Sequence, residues 1–149
     1  MAVWCLTTSP DNVARTAELG WKVQGIKSGR GKTAREIRPG DRLVYYVTKV
    51  GAFAAVVEVI SEHFEDHDPI WTSKPGEDYP WRFQIRADVV LDDPRHWVPA
   101  GDLREQLEFP RKWPAEHWKL AFQGNIRAWP EHDHQVVREA LAAAAGQRG

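Results

Sequence analysis

This sequence is poor in cysteine, in long apolar runs and in net charge, and each scarcity excludes a class of protein. Cys5 is the one cysteine, so an intramolecular disulfide is impossible and a reducing compartment is favoured. No apolar run approaches the roughly 18 residues of a membrane span, and residues 1–6 lack the basic and apolar regions of a secretion signal. The net charge of -1 is unlike that of a bulk polyanion binder. We therefore expect a cytoplasmic protein without a membrane partner.

Tryptophan and a local cluster of basic residues stand out against an ordinary composition. Residues 1–149 suffice for one domain, and the apolar fraction of 42% and charged fraction of 28% are typical of folded proteins. The chain has 8 tryptophans, of which we expect most to be structural and two or three to line a ligand site. The charged residues within 22–38 are basic except for Glu36, and those within 58–68 are acidic. On charge alone, a local phosphate contact and two solvated faces of opposite sign are equally good interpretations.

The hydrophobic pattern predicts one α+β domain built on a small, mostly antiparallel sheet. Ser9 or Asp11 can cap a helix that stops at Gly20, and Pro130 opens a last helix that reaches about residue 145. Short helical pieces are expected near 102–107 and 115–120. Residues 27–33 and 66–80 are predicted to be loops, the first mobile and the second long enough to be functional. β-favouring or alternating runs predict strands at 3–8, 42–48, 52–60 and 82–91, with a short extended piece at 21–26.

Three motifs suggest nucleotide, metal or thiol chemistry, but their contexts do not support it. Gly31-Lys32-Thr33 resembles the end of a phosphate-binding P-loop, yet Ile26 stands where that motif needs a glycine. His63 and His67 have the spacing of metal ligands without an obvious third ligand. Cys5 lies in a predicted core strand, and no base can be placed beside it. We expect neither a cofactor nor a metal, and a non-catalytic protein more than an enzyme.

A basic, glycine-containing loop is the best candidate for binding an anion. Lys27-Ser28-Gly29-Arg30-Gly31-Lys32 combines cations with unencumbered backbone N–H groups, which suits a phosphate. Tryptophans near such a loop would let a base stack while its phosphate is held. A solvated, floppy loop is the alternative interpretation.

Four stretches of the chain carry a resemblance to a known family. They are Trp4-Cys5-Leu6-Thr7-Thr8, Arg38-Pro39-Gly40-Asp41 with the following Leu43-Val44-Tyr45-Tyr46, residues 56–66, and Tyr79-Pro80-Trp81-Arg82-Phe83. In order and spacing they resemble the EVE domain family, which belongs to the PUA-like group with YTH and ASCH domains. The resemblance covers nearly the whole chain, and it implies a PUA-like twisted, mostly antiparallel β-barrel flanked by helices.

The same resemblance implies a pocket that recognises a flipped, modified base of DNA or RNA without performing chemistry on it. By position, Trp81 would stack on the base and Trp71 would add a second wall. Gln24-Gly25-Ile26 stands where the family usually has Trp-Gly-Val. Gln24 and the backbone of Gly25 and Ile26 would read the base edge, and the glutamine amide favours a base other than methyladenine, pyrimidines among them. The remaining candidates are Lys27, Arg30 and Lys32 for the flanking phosphates, and Ser9 and Arg127 for the pocket rim.

Two other functions stay open. ASCH relatives that hydrolyse modified nucleosides carry Gly-x-Lys-x-x-Glu-x-Arg, and Gly31, Glu36 and Arg38 match this pattern. Thr33 replaces its lysine, and Lys32 is one residue early, which in an extended segment points the side chain to the opposite face. A protein–protein adaptor that uses surface tryptophans is the third interpretation.

Overall fold

A curled, mixed sheet forms the centre of the molecule in a computed structural model that describes residues 1–72 and 74–146. Within these ranges no helix is long and apolar enough to cross a lipid bilayer. The strands are β1 Val3–Thr8, β2 Val23–Ile26, β3 Arg42–Val47, β4 Ala52–Val59, β5 Phe64–Glu65, β6 Trp81–Val90, β7 Val98–Pro99 and β8 Ile126–Trp129. The helices are α1 Pro10–Glu18, α2 Gly31–Ala34, α3 Ala100–Leu103 and α4 Glu131–Gly146, with 3₁₀ segments at Ser28–Arg30, Pro94–His96, Phe109–Lys112 and Ala115–Phe122.

The sheet curls into a half-barrel in which most neighbouring strands are antiparallel. Six strands are hydrogen-bonded in the order β2-β6-β4-β3-β1-β8, while β5 pairs with β6 and β7 with β4. β1 and β3 run parallel, and every other pair is antiparallel across the described residues. The α+β class and the mostly antiparallel, twisted barrel architecture are thereby confirmed.

Both faces of the central strands are buried because their alternate residues pack into two separate clusters. Leu6 joins one cluster with Val13 of α1, whereas Cys5 joins the other with Val137 of α4. Successive strand residues point to opposite faces, so a strand covered on both sides is apolar throughout. Residues 43–47 are all buried for this reason.

A buried aspartate organises the turn before β3. The carboxylate of Asp41 accepts hydrogen bonds from the backbone N–H groups of Ala2 (2.9 Å) and Arg38 (3.0 Å) and from the indole N–H of Trp4 (3.0 Å). Because Asp41 is buried, these bonds replace the water that its carboxylate would otherwise need. The turn therefore ties the start of β1 to the start of β3, its parallel neighbour.

The predicted strands and the first and last helices are confirmed with bounds that shift by one or two residues. The prediction of a mobile loop at 27–33 is wrong. Residues 28–34 form a 3₁₀ turn followed by α2, with the N–H of Arg35 donating to the carbonyl of Gly31 (3.1 Å). β8 and the parallel pairing of β1 with β3 were not predicted from the sequence.

Candidate nucleic-acid interface

A cavity of about 690 Å³ opens where the parallel strands β1 and β3 end. Its volume lies within the range of about 300–1,000 Å³ that is common for small-molecule sites. Buried side chains such as Gln24 and Trp71 line its interior, and exposed ones such as Lys49 and Lys74 form its rim. The full lining is Leu6, Thr7, Thr8, Ser9, Asn12, Gln24, Lys27, Thr48, Lys49, Trp71, Thr72, Lys74, Tyr79, Phe122, Gln123, Gly124 and Asn125.

One wall of the cavity is the indole of Trp71, which lies directly on the backbone of Gly25. A β-carbon at Gly25 would lie 2.6 Å from Cζ3 of Trp71 and 2.7 Å from the carbonyl oxygen of Tyr79, so only glycine permits this approach. The guanidinium carbon of Arg82 lies 5.2 Å from the centre of the Trp71 ring, a cation–π distance. Arg82 Nε also donates to the carbonyl of Tyr79 (3.0 Å). The backbone of Gly25 at the edge of the indole and the buried cation over its ring therefore fix Trp71 in place.

The amide of Gln24 is fixed in one orientation inside the cavity. Its Oε1 accepts hydrogen bonds from the hydroxyls of Thr16 (2.9 Å) and Tyr45 (2.8 Å), and Thr16 in turn accepts from the indole N–H of Trp71 (2.9 Å). Burial raises the pKa of Tyr45 well above its usual value, so its hydroxyl stays protonated and donates. Gln24 Nε2 carries two N–H groups and has one partner among residues 1–72 and 74–146, the carbonyl of Gly25 (2.8 Å). The second N–H can therefore donate to a ligand.

Asn12 ties the 66–80 segment to α1. Its Nδ2 donates to the carbonyl of Thr72 (2.9 Å), and its Oδ1 accepts from the N–H of the same residue (2.9 Å). Ser9 caps α1, with its Oγ accepting from the N–H of Asn12 (3.1 Å). The start of one helix thus positions both the cavity rim at Ser9 and the segment that carries Trp71.

The opposite wall is formed by the chain before β8. Asn125 accepts a hydrogen bond at Oδ1 from the N–H of Lys27 (2.9 Å), and its carbonyl accepts from the N–H of Thr7 (2.8 Å). Gly124 has a φ of +87°, and a β-carbon there would lie 2.9 Å from Nη2 of Arg30. The guanidinium of Arg30 therefore lies against the rim of the cavity.

The rim carries several positive charges. Lys27, Lys49 and Lys74 line the cavity, with Arg30 beside it at Gly124. Lys49 has a φ of +68°, a left-handed conformation that a non-glycine residue adopts at some cost. Lys27 Nζ lies 3.6 Å from a carboxylate oxygen of Glu77, and both side chains are more than a third exposed. Such exposed pairs are weak, so Lys27 can exchange this partner for a phosphate.

Comparisons with known proteins agree with this architecture. The sequence model of the EVE domain family matches residues 2–137. The chain belongs to the EVE domain family. A UPF0310 protein of Pyrococcus abyssi is 28% identical over 151 residues, covering 95% of this chain and 100% of that protein.

Solved structures of YTH domains share the fold of this EVE domain. A complex of the YTH domain-containing protein mmi1 with RNA superposes with a TM-score of 0.68 at 9% identity, covering 98% of this chain and 85% of that one. The YTH domain of the Zygosaccharomyces rouxii MRB1 protein, in complex with N6-methyladenosine RNA, gives a TM-score of 0.61 at 17% identity, covering 93% and 86%. At such identities the likeness concerns the fold.

Trp81 lies outside the cavity of the EVE domain, although the sequence favoured it as the stacking residue. It pairs with Ile26 across β2 and β6. Neighbouring residues of a strand point to opposite faces, so the side chain of Trp81 lies on the other side of the sheet from that of Arg82, which contacts Trp71. Its indole N–H donates to the carbonyl of Ser28 (3.0 Å), and a β-carbon at Gly31 would lie 3.0 Å from its Nε1. Trp81 therefore holds the basic 28–34 segment in place.

The other residues proposed from the sequence are divided between the cavity and its surroundings. Ser9, Gln24, Lys27 and Trp71 line it, and Gly25 supports Trp71 from behind. The side chain of Ile26 is fully buried in the core, and Lys32 is exposed on α2. Arg127 Nε donates to the carbonyl of Gln123 (2.6 Å), so it braces the rim from outside. Arg30 is placed at Gly124, as described above.

Sequence reasoning missed Asn12, Asn125, Phe122 and Lys74. Lys74 lies in the 66–80 segment that was predicted to be functional, so the length of that loop was the available signal. Asn125 follows a glycine just before a strand, which marks a turn but not its partners.

The residues of the hydrolase alternative are not gathered at the cavity. Glu36 and Arg38 are exposed, and Arg38 Nη1 lies 3.5 Å from a carboxylate oxygen of Glu62. Burial raises the pKa of the Cys5 thiol far above its usual value, so this thiol is protonated and poorly nucleophilic. Over the described part of the chain, no three His, Cys, Asp or Glu side chains cluster in a way that could hold a metal ion.

Proposed function

We propose that this EVE domain is a non-catalytic nucleic-acid-binding module that accepts a flipped, modified base of DNA or RNA in the 690 Å³ cavity. The observation that carries the proposal is the Gln24 amide, whose orientation two hydroxyls fix and which keeps an N–H for a ligand. YTH domains of the same fold bind RNA, one of them with N6-methyladenosine. That likeness supports the class of ligand, and the site chemistry refines it.

Aromatic rings on two sides of the cavity suit a flat heterocycle. Trp71 and Tyr79 lie on the 66–80 side with ring centres 6.2 Å apart, and Phe122 lies on the other side. Stacking of a base on such rings contributes about 1–3 kcal/mol, which offsets the few kcal/mol that it costs to extrude a base from a duplex. All three rings are buried by their own packing, so the walls are formed before a ligand arrives.

The Gln24 N–H selects the base edge that enters. A donor at this position favours a carbonyl oxygen or an unprotonated ring nitrogen, and it leaves an apolar or donor edge unpaired. Pyrimidines present a carbonyl beside the ring nitrogen, so a modified pyrimidine fits this donor well. The hydroxyls of Thr7, Thr8 and Ser9 also line the cavity and provide further polar contacts.

The rim cations would hold the phosphates on either side of the extruded nucleotide. Lys27 and Arg30 lie at one edge, while Lys49 and Lys74 extend the positive rim. Phosphate contacts position a nucleic acid without reading its sequence, so they account for affinity and leave selectivity to the cavity. Trp81 contributes indirectly because it fixes the segment that carries Arg30.

The test is a binding screen with duplex and single-stranded oligonucleotides, DNA and RNA, that carry different modified bases at one position. Gln24→Met removes the amide and keeps the length of the side chain. We expect it to reduce the preference for the best modified base by about five- to hundred-fold, because one base hydrogen bond is worth about 1–3 kcal/mol. Gln84→Met on the exposed face of β6 is the matched control and should change nothing.

A second pair of variants separates phosphate contacts from base reading. The double variant Lys27→Ala with Lys74→Ala should weaken the binding of all oligonucleotides alike. Lys22→Ala, at an exposed position away from the cavity, should leave their affinity unchanged. Circular dichroism of every variant checks folding. The proposal fails if the unchanged protein binds no oligonucleotide more tightly than non-specific binding, about 10⁻⁴–10⁻⁶ M, or if it binds modified and plain bases equally.

A further inference from the structure

A second cavity, of about 390 Å³, lies in the segment between α3 and β8 and combines indoles with guanidinium groups. Pro110 and Ala115 are part of its lining, and the half-buried rings of Trp113 and Trp118 add flat apolar surfaces. Arg104 and Arg111 supply the positive charge. The function proposed for the first cavity does not use any of these groups.

The two cavities share a wall. Arg127 Nε donates to the carbonyl of Gln123, which lines the first cavity, while its guanidinium carbon lies 5.5 Å from the ring centre of Trp113 in the second. Phe122 lines the first cavity and contacts Trp118 edge-on at 6.0 Å. A single arginine side chain therefore reaches from one cavity to the other, and an occupant of the first has the second as its neighbour.

The second cavity is held in shape by buried contacts. The fully buried carboxylate of Asp133 accepts hydrogen bonds from the N–H groups of Glu108 and Phe109, both at 2.8 Å, and so fixes the start of this segment on α4. The Phe109 ring packs on Trp113 at 5.3 Å. A site with this support loses little conformational freedom when a ligand binds.

The ring of Trp118 is already paired with a cation. The guanidinium carbon of Arg104 lies 5.2 Å from its centre, and Arg104 Nη2 donates to the carbonyl of Ala115 (2.9 Å). An indole ring with an arginine beside it is the combination on which single-strand binding proteins stack nucleobases. Arg111 also donates to the carbonyl of Glu105, which brings an acidic residue to the same cavity.

We propose that this second cavity binds the nucleotide that adjoins the one held in the first, by stacking its base on Trp118 or Trp113 and pairing its phosphate with Arg104 and Arg111. The inference rests on the proposed function. The two indole rings favour a nucleotide over an acidic peptide, because they offer flat surfaces on which a base stacks and which an Asp or Glu side chain cannot use. The carboxylate of Glu105 can in addition accept the amino group of a base.

The experiment compares a ligand that fills one cavity with a ligand that can fill two. The probes are free N6-methyladenosine and 5-methylcytidine, followed by calorimetry, and fluorescein-labelled single-stranded pentanucleotides with the same base at the centre, followed by fluorescence polarisation. Trp118→Leu keeps an apolar contact for Phe122 and removes the platform. We expect a loss of about five- to hundred-fold in affinity for the pentanucleotide and no change for the nucleoside.

A charge variant tests the pairing with phosphate separately. Arg104→Ala with Arg111→Ala should make the affinity less dependent on salt, with the slope of log K against log salt reduced by about 0.7 for each phosphate that the variant no longer neutralises. Arg95→Ala is the control, because Arg95 is exposed and paired with Asp93 in its own turn.

The outcomes distinguish this proposal from the one on which it rests. Pentanucleotide binding that is unaltered in both the tryptophan and the arginine variants overturns the second site and leaves the first cavity as a reader. Failure of the unchanged protein to bind any modified base of the screen described above, as a nucleoside or in an oligonucleotide, overturns both. Capture of a glutamate-rich peptide that requires the two arginines, with pentanucleotide binding unaltered, assigns the cavity to a protein ligand and also overturns the proposal.

Discussion

Replacing Gly25 with alanine should dislodge Trp71 and weaken both the fold and the binding cavity. The new β-carbon would lie 2.6 Å from the indole and 2.7 Å from the carbonyl oxygen of Tyr79, whereas ordinary contacts begin near 3.4 Å. Neither neighbour can yield easily. Trp71 is bonded to Thr16 through its indole N–H and covered by Arg82, which also bonds to the Tyr79 carbonyl.

The size of this effect follows from forcing one methyl group into a filled site. Overpacking of this kind costs about 1–3 kcal/mol, and alanine recovers about 0.4–1 kcal/mol by restricting the unfolded chain. The difference is about 0–2.6 kcal/mol, and both contacts are shorter than 3.0 Å, so we expect Gly25→Ala to lower the free energy of unfolding by about 2 kcal/mol, measured by urea denaturation with an unchanged slope. Selectivity among modified bases should fall with it, because Trp71 forms a wall of the cavity.

Gly29→Ala is the matched control for this prediction. It makes the same chemical change four residues along the chain, where a β-carbon would meet no atom within 4 Å. Its free energy of unfolding should stay within about 0.5 kcal/mol of that of the unchanged protein, as at most surface positions. Equal stability of the two variants would refute the assignment of Gly25 to a close approach.

Three further predictions concern groups around the cavity and in the core. Asn12→Ala removes two hydrogen bonds to Thr72 at about 0.5–1.5 kcal/mol each, so urea denaturation should show a loss of about 1–3 kcal/mol. A hydrogen bond to Asp78 and, to a smaller extent, one to Glu65 raise the pKa of His67. The pKa measured by NMR titration should therefore lie above 6.5 and fall in Asp78→Asn. The buried Cys5 thiol should resist alkylation in the folded protein and react fully in urea.

The raised pKa of His67 makes the stability of the surrounding segment fall as the pH rises, and amide hydrogen exchange can check this direction. The folded pKa is raised, so the extra stability is complete below the unfolded value of about 6.5 and is lost as the pH rises through the folded pKa. Amide hydrogen exchange in residues 66–80 should therefore speed up over that interval by more than base catalysis alone explains. Exchange that follows base catalysis without an added step would contradict the His67 prediction. Rapid alkylation of folded Cys5 would contradict the Cys5 prediction, and unchanged stability of Asn12→Ala would contradict the Asn12 prediction.

Part of the candidate site could be predicted because it depends on short stretches of chain. Ser9 reads as a helix cap, and the cap places its hydroxyl on the rim. The length of the 66–80 segment indicated function, and it does carry Trp71 and Lys74 into the cavity. Gln24 stood out because it replaces an aromatic residue of the resembling family, and it is the polar group at the centre of the site.

Trp81 shows why the remainder could not be predicted. Its position beside a long loop made it the natural stacking residue, but strand register decides which face of β6 it occupies. A single step in register exchanges the two faces, and nothing within the strand itself reports the register of its partner. The same holds for Arg30, whose place at the rim depends on Gly124 from the other end of the chain.

The sequence by itself determined the strands β1 to β4 and β6, the starts of α1 and α4 and the α+β class, because periodicity, caps and turn residues act over a few neighbouring positions. It also carried the resemblance that the family comparison confirmed. Only the tertiary structure decided which residues share the cavity, since Asn12 and Thr72 meet across 60 positions of chain. Such contacts are fixed when both faces of one curled sheet must be buried at once, a condition on the whole molecule.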